Sequence, residues 1–481
     1  MSIKRAIFTV VLVAGIAMLA VGIGPQVAGI THALPPAQAS VTTPNSSSAV
    51  HAPSGSLGPS LAPTLYHLGP EVQISTPSSP LDANRHKPAV AYNWKHDQYL
   101  VVWHNQWPGN RDIYAQRVST SGKLVGPWFS VSVGTGDRIQ PAVAYSATDD
   151  EYLVVWMKEV SPDVYEIWGR IVAWNGSYMR DEFKIISWAN RSFWTPRVAW
   201  NSIRNEYMVV WNAFDTTGGL PGVPRDITGA RVTNQDEGKV IDTDMLAFPT
   251  DSGPHQVDIT YNVAMNEYLI VCVIVHTEAT SGNDIYGRRV NWDGTPGAWI
   301  EIYKDDFAGG RKHQNHPAVA TNEQDKYMVV WEHEYSFTDH DIYAREYNAD
   351  GTPSGSYFTI SSWTEDDTVP DIAANGASKE WVAVWQRALP SGSGYSIHGY
   401  RWGSAGSGVY TYVFDVANWL FYECTSPAVA ADNPGYLIVY EELPPPGDLA
   451  QSATLTNYQH IYGRMWWPEA VYLPLVLRNS N

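Results

Sequence analysis

From about residue 71 onward, apolar residues fall in short runs separated by clusters of Pro, Gly, Asn and Asp, and the runs return in the same order. The clearest unit reads Pro88-Ala-Val-Ala-Tyr92-Asn93, a polar turn, Gln98-Tyr-Leu-Val-Val-Trp103, a loop, then Asp112-Ile-Tyr-Ala-Gln-Arg117-Val118. Its first segment recurs at Val90, Val143, Val198, Val257, Val319, Ile372 and Val429, 53 to 62 residues apart. The second ends at Trp103, Trp156, Trp211, Cys272, Trp331, Trp385 and Tyr440. The third recurs around Ile113, Ile167, Ile227, Ile285, Ile342, Ile397 and Ile461. Internal periodicity of this length marks a repeat architecture.

Short segments rich in Val, Ile, Tyr and Trp, bounded by turn formers, read as strands. The run Leu-Val-Val-Trp is apolar at every position, which predicts a strand buried on both faces. A weaker fourth segment follows in most copies, as in Trp128–Ser132, Glu182–Ile186, Tyr357–Ser361 and Tyr410–Phe414. Four antiparallel strands per unit of this size make a propeller blade. The predicted fold is therefore all-β, a seven-bladed β-propeller over residues 65–466. The seventh copy has only three strands, and a lone strand at Glu71–Ser75 stands before the first copy. It is expected to complete the last blade and close the ring. Closing a loop of nearly 400 residues costs roughly 5 kcal/mol beyond a constant. Burying Val72 and Ile74 is expected to contribute about 2 kcal/mol each.

Strand order separates two faces. First-to-second turns are near copies, as in Asn93–Gln98, Asn201–Glu206 and Asn262–Glu267, while second-to-third loops vary freely. Variable loops on a fixed scaffold are where binding usually sits, so the variable face is the expected functional one. The candidate ligand-binding residues there are Trp107, Arg138, Trp194, His316, Glu332, Tyr335, Trp419 and Glu441. Exposed rings beside polar groups suit sugars, whose apolar faces stack while their hydroxyls hydrogen-bond. Tryptophans at repeat positions (103, 156, 168, 211, 331 and 385) are expected in the core, where a large ring buries much area.

Other motifs change the picture less. An Arg follows the third-strand Ile in every copy (Arg117, Arg170, Arg231, Arg289, Arg345, Arg401, Arg464), and Asp or Glu precedes it in five. A charge repeated blade by blade reads as a structural link. One carboxylate per blade falls short of the six to eight oxygens that calcium takes. Phosphate loops, paired-cysteine zinc spacings, His-Glu-x-x-His and the Gly-x-Ser-x-Gly turn are absent from the sequence. Convergence of His313, His316 and His340 on a metal is a weaker alternative; no cofactor is expected. The first functional reading is an exported recognition or scaffold protein that binds a carbohydrate or protein partner through the variable face; a carbohydrate-active enzyme, a glycosidase or lyase, is the second. Its acid and base would come from Glu332, Glu334, Glu441, Glu442, Asp366 or Asp367, paired at about 5–5.5 Å or 6.5–9.5 Å.

Residues 1–39 read as a signal peptide or N-terminal anchor. Lys4 and Arg5 precede an apolar run from Ala6 to Ile23, and Ala37-Gln38-Ala39 offers a cleavage site. Residues 40–64 are a Ser/Thr/Pro-rich linker. A secreted or cell-surface location follows, with membrane contact only through an uncleaved N-terminal segment. The net charge of −18, from 49 acidic and 31 basic residues, argues against nucleic acid as a partner. The two cysteines, Cys272 and Cys424, sit in blades across the ring and are expected to be buried and unpaired.

The Pro-Ala-Val-Ala-Tyr-Asn … Glu-Tyr-Leu-Val-Val-Trp … Asp-Ile-Tyr-Gly/Ala-x-Arg-Val pattern resembles a repeat of uncharacterised exported bacterial β-propellers. The likeness covers residues 71–466 and implies the fold without an activity. Within residues 467–481, the segment Tyr472-Leu-Pro-Leu-Val-Leu477 resembles a short tail on exported proteins of filamentous thermophilic bacteria, which implies a sorting or attachment tag; a terminal strand on the last blade is the alternative.

Overall fold

A computed structural model describes residues 66–75, 84–216, 224–233, 240–249, 253–275, 282–304, 312–376, 379–390, 394–403, 412–417, 423–432, 435–443 and 458–468. They form 28 strands in seven four-stranded antiparallel sheets, with no helix among them. The chain is a seven-bladed β-propeller. The signal or anchor segment, the linker, Trp419 and the tail beyond Pro468 lie outside the described residues.

Blade 1 is β2 (Asn84–Asn93), β3 (Gln98–Trp107), β4 (Asn110–Ser119) and β5 (Leu124–Ser132). Blades 2 to 6 repeat this order, and first strands of successive blades touch all round the ring. Each blade's second strand carries the apolar run and is buried on both faces, with Trp103, Trp156, Trp211, Trp331 and Trp385 at 0–2% exposure. Trp168 instead lies half-buried with Lys158 Nζ 3.7 Å from its ring centre. Cys272 and Cys424 are buried and unpaired, as expected.

The ring closes as the strand count requires. Blade 7 consists of β26 (Glu423–Ala431), β27 (Tyr436–Leu443), β28 (His460–Pro468) and, as its fourth strand, β1 (Tyr66–Gln73). Glu71 pairs with Arg464, Val72 with Gly463 and Gln73 with Tyr462. Ile74 N–H donates to Ile461 O at 2.8 Å. Two details differ from the sequence reading: β1 begins five residues earlier, and Val72 is only half-buried while Ile74 is fully buried. Residues two apart in a regular strand share a face; β1 ends at Gln73, and Ile74, just past it, enters the core cluster that includes Val101 and Leu437.

The uniform turns owe their uniformity to one side chain. Asn93 Oδ1 accepts from Lys95 N–H and His96 N–H at 3.0 and 3.1 Å; Asn201, Asn262 and Asn322 do the same in their blades. This is the local turn that Asn favours. The repeated arginines act as links. Arg289 forms a two-pronged bond to Glu267 at 2.6 and 2.9 Å, Arg231 meets Glu206 at 3.3 Å, and Arg401 meets Glu380. Arg170 and Arg345 instead donate to carbonyls of the preceding blade, Val131 O and Ile302 O.

Candidate functional site

The variable face is built around a distortion repeated in every blade. Each first strand carries a β-bulge near its start. The residue at its apex (Lys87, Gln140, Thr195, Gln256, His316, Val369 or Ser426) has φ between 47° and 53°. Six of these precede a proline, a residue that sheets admit at edges and bulges because it lacks an N–H. Left-handed backbone in a non-glycine residue costs on the order of 1–3 kcal/mol, so something must hold it.

The holding groups come from neighbouring blades. Lys87 N–H donates to Glu441 Oε1 at 2.9 Å, Val369 N–H to Glu332 Oε2 at 3.2 Å, and Ser426 N–H to Gln386 Oε1 at 3.1 Å. Thr195 N–H meets Met157 Sδ at 3.3 Å. All four partners directly follow the aromatic residue that ends a second-strand run. In blade 4 that position is Val273, which has no acceptor. There Gln256, at the neighbouring bulge, accepts from His316 N–H at 2.7 Å instead.

These clasps place the predicted residues. Glu441 is 3% exposed and also bonds His86 Nδ1 at 2.9 Å. Burial pushes its carboxyl up, but bonds from His86 and Lys87 N–H prevail and hold it below the usual range. Glu332 is 4% exposed and bonds His316 Nδ1 at 2.9 Å, with His340 Nε2 at 3.9 Å. Arg138 is buried and ties the blade 1–2 connection together through Ser132 Oγ, Thr135 O and Gly136 O. Trp194 is half-buried; its Nε1 donates to Ser192 Oγ at 2.7 Å, and its ring packs on Tyr165 and Phe214. Trp107 is half-buried at the tip of the β3–β4 hairpin. Asp367, offered as a catalytic acid, is fully buried and gripped by Arg387 at 2.7 and 3.0 Å and by Trp385 Nε1 at 3.0 Å.

On blade 5 His316 meets Glu332, while Tyr335 lies further along β19 (Lys326–Ser336), which turns through Phe337 into β20 (Asp339–Asn348). Asp366, in the connection to blade 6, accepts from both the N–H and Nδ1 of His340, at 3.1 and 2.6 Å. That bond, first, and nearby Glu332 raise the imidazole's proton affinity. The hairpin and the connection are thereby pinned side by side. Three large rings stand in solvent there: Tyr335 at 61%, Phe337 at 91% and Trp363 at 60% exposure. Phe337 and Trp363 were not among the residues singled out from sequence. Trp363 lies outside the repeat register, the same signal that marked Trp107.

His316 and His340 both approach Glu332, at 2.9 and 3.9 Å, while His313 accepts from Asn283 N–H. Among the described residues no group of three or more His, Cys, Asp or Glu side chains is placed to hold a metal ion.

No protein-family model matches the chain, and no curated protein does. Solved structures similar to it include a protein of unknown function from Dyadobacter fermentans DSM 18053, at 11% identity over 84% of this chain and 99% of that one, with a TM-score of 0.49. A thermostable family-43 glycoside hydrolase is 14% identical over 59% of this chain and 95% of its own, TM-score 0.38. An acylaminoacyl peptidase from Pyrococcus horikoshii is 13% identical over 75% of this chain and 49% of its own, TM-score 0.43. At these scores the likenesses carry no statement about the site.

Proposed function

We propose that the chain is an exported recognition or scaffold protein that binds a carbohydrate or surface-protein partner through the variable face, centred on blade 5. The observation that carries this is the group of solvent-exposed rings, Tyr335, Phe337 and Trp363, on a hairpin and a connection fixed to each other by Asp366 and His340. Exposed apolar groups gathered on an ordered polar frame mark interaction sites. The uniform face also exposes Trp94 and Ile203, but singly, at the tips of separate hairpins.

Binding is favoured over hydrolysis because the carboxylates offered for catalysis are committed elsewhere. Glu332 and Glu441 hold bulges, Asp367 holds Arg387, and Asp366 holds His340. Glu442 is 2% exposed within blade 7. Export is supported by the sequence of residues 1–39 alone.

Incubating the purified protein with a polysaccharide and cell-wall panel tests the reading. Retention without released sugar is expected. The double variant Tyr335→Ala/Trp363→Ala should lose roughly ten-fold in affinity with an unchanged melting temperature, since two stacking rings at about 0.7 kcal/mol each make about 1.4 kcal/mol. Released sugars would replace binding by catalysis, and full retention by the double variant would move the site away from blade 5.

A further inference from the structure

We propose that blade 6 carries an acyl-transfer centre, Ser396, His398 and Asp415, that hydrolyses esters of small carboxylic acids. It lies on a different blade from the exposed rings of blade 5 and does not depend on the recognition reading.

The centre arises where blade 6 departs from the repeat at facing positions. In most blades the third strand carries an acid, Ile and an aromatic ring in succession. That ring stands opposite a residue of the fourth strand: Tyr114 opposite Ser130, Trp168 opposite Lys184, Tyr343 opposite Thr359. In blade 6, β24 (Tyr395–Gly403) has Ser396 in the acid's place and His398 in the ring's, and β25 (Tyr412–Ala417) sets Asp415 opposite His398. Residues two apart on a strand share a face, so Ser396 and His398 meet, with Ser396 Oγ 2.9 Å from His398 Nε2. On the other side of the imidazole, Asp415 Oδ1 lies 2.9 Å from Nδ1. That contact is off the line of the ring N–H, as catalytic bonds often are before substrate binds. The Asp415 side chain is 57% exposed and has room to align.

A hydroxyl nucleophile, an imidazole base and a carboxylate that orients it are the parts acyl transfer needs. A carboxylate beside Nδ1 places the ring proton there and leaves Nε2 bare to accept the Ser396 hydroxyl proton. Burial, then the Arg387 guanidinium, lower the imidazole's proton affinity against the opposite pull of Asp415 and Asp367. The ring is therefore in its neutral, basic form near pH 7. Ser396 Oγ attacks the ester carbonyl carbon as its proton passes to Nε2. The C–O bond to the alcohol then breaks, and the departing oxygen takes that proton. Water adds to the acyl-serine, giving a proton to Nε2; the carboxylic acid leaves as that proton returns to Oγ. Ser396 and His398 are 3% and 6% exposed, which limits the acyl group to a small one such as acetyl.

The test is incubation of the full protein with p-nitrophenyl acetate and, separately, with diisopropyl fluorophosphate, followed by mass spectrometry of its peptides. The wild type should release p-nitrophenolate above the buffer rate and carry a phosphoryl adduct on Ser396. Ser396→Ala should abolish that adduct, and His398→Gln should slow both reactions at least roughly 100-fold. The labelling rate should be flat above about pH 6.5 and fall in acid. Asp415→Asn should move that fall to lower pH, because it removes a charge that favours the imidazolium; a purely structural Asp415 would leave it in place. An adduct on wild-type Ser396 upholds the nucleophile even where a variant fails to fold. No adduct on Ser396, or unchanged ester hydrolysis by a folded Ser396→Ala, would overturn the centre. Neither result alters retention on the polysaccharide panel, which tests the recognition reading separately.

Discussion

Glu441 shows at the residue scale how a carboxylate that looks available in sequence is consumed by the fold. Glu441→Ala strands Lys87 N–H and His86 at a buried joint between blades 7 and 1. Leaving such groups unsatisfied is expected to cost about 3 kcal/mol, read by urea unfolding. Glu441→Gln keeps an acceptor for the N–H and should lose less than half as much. If the alanine variant is as stable as the wild type, the clasp does not hold the bulge. Glu442, its neighbour, behaves oppositely: burial, then Glu71, push its carboxyl up to about 8. A carboxyl with a raised folded pKa binds its proton more tightly in the native state. Its contribution to stability is complete below the unfolded value of about 4.5 and is lost as pH rises through about 8. Glu151, pushed up to about 8 by burial and then Asp149, adds to the same trend. His104, brought down to about 3 by burial and then His86, acts in the opposite sense only below about pH 6.5. The melting temperature should therefore fall between about pH 6.5 and 8.5, and Glu442→Gln should flatten part of that fall; an identical slope in the variant would remove Glu442 as its source.

The strand as an element is where the sequence was most legible. Apolar runs bounded by turn residues, seven times over, state both strand number and blade number, and the unmatched first strand states how the ring shuts. Removing residues 66–75 leaves β28 as an unpaired edge and exposes the groove that holds Ile74. A clear drop in melting temperature is expected; no change would show that the ring does not depend on β1. The bulges were not legible, because the proline that marks them also reads as the start of a strand. Without the bulge the register is unknown, so the clasp position after each second-strand aromatic could not be told from a loop. The same uncertainty hides which rings are free. Trp194 and Trp363 both lie outside the repeat register, yet Trp194 falls inside an innermost strand, packed on Tyr165 and Phe214, while Trp363 falls in a connection. Tyr335 was recognisable because it follows the apolar run of β19 and precedes a variable turn.

At the scale of the whole molecule, seven near-identical blades are individualised by what their loops carry, and blade 5 carries the exposed rings Tyr335 and Phe337 on its hairpin. The closure of the ring has a bearing on how the protein is made. β1 is among the first described residues to be synthesised, yet its partner β28 follows it at a separation of 387 residues between Gln73 and His460. At roughly 5–20 residues per second, that is a wait of roughly 20–80 seconds. Throughout it, the opening strand has no place to dock, and any chain that stops short of His460 never gives it one. A copy that ends before His460 therefore keeps two unpaired sheet edges, β1 and β27, each a template on which another chain can pair.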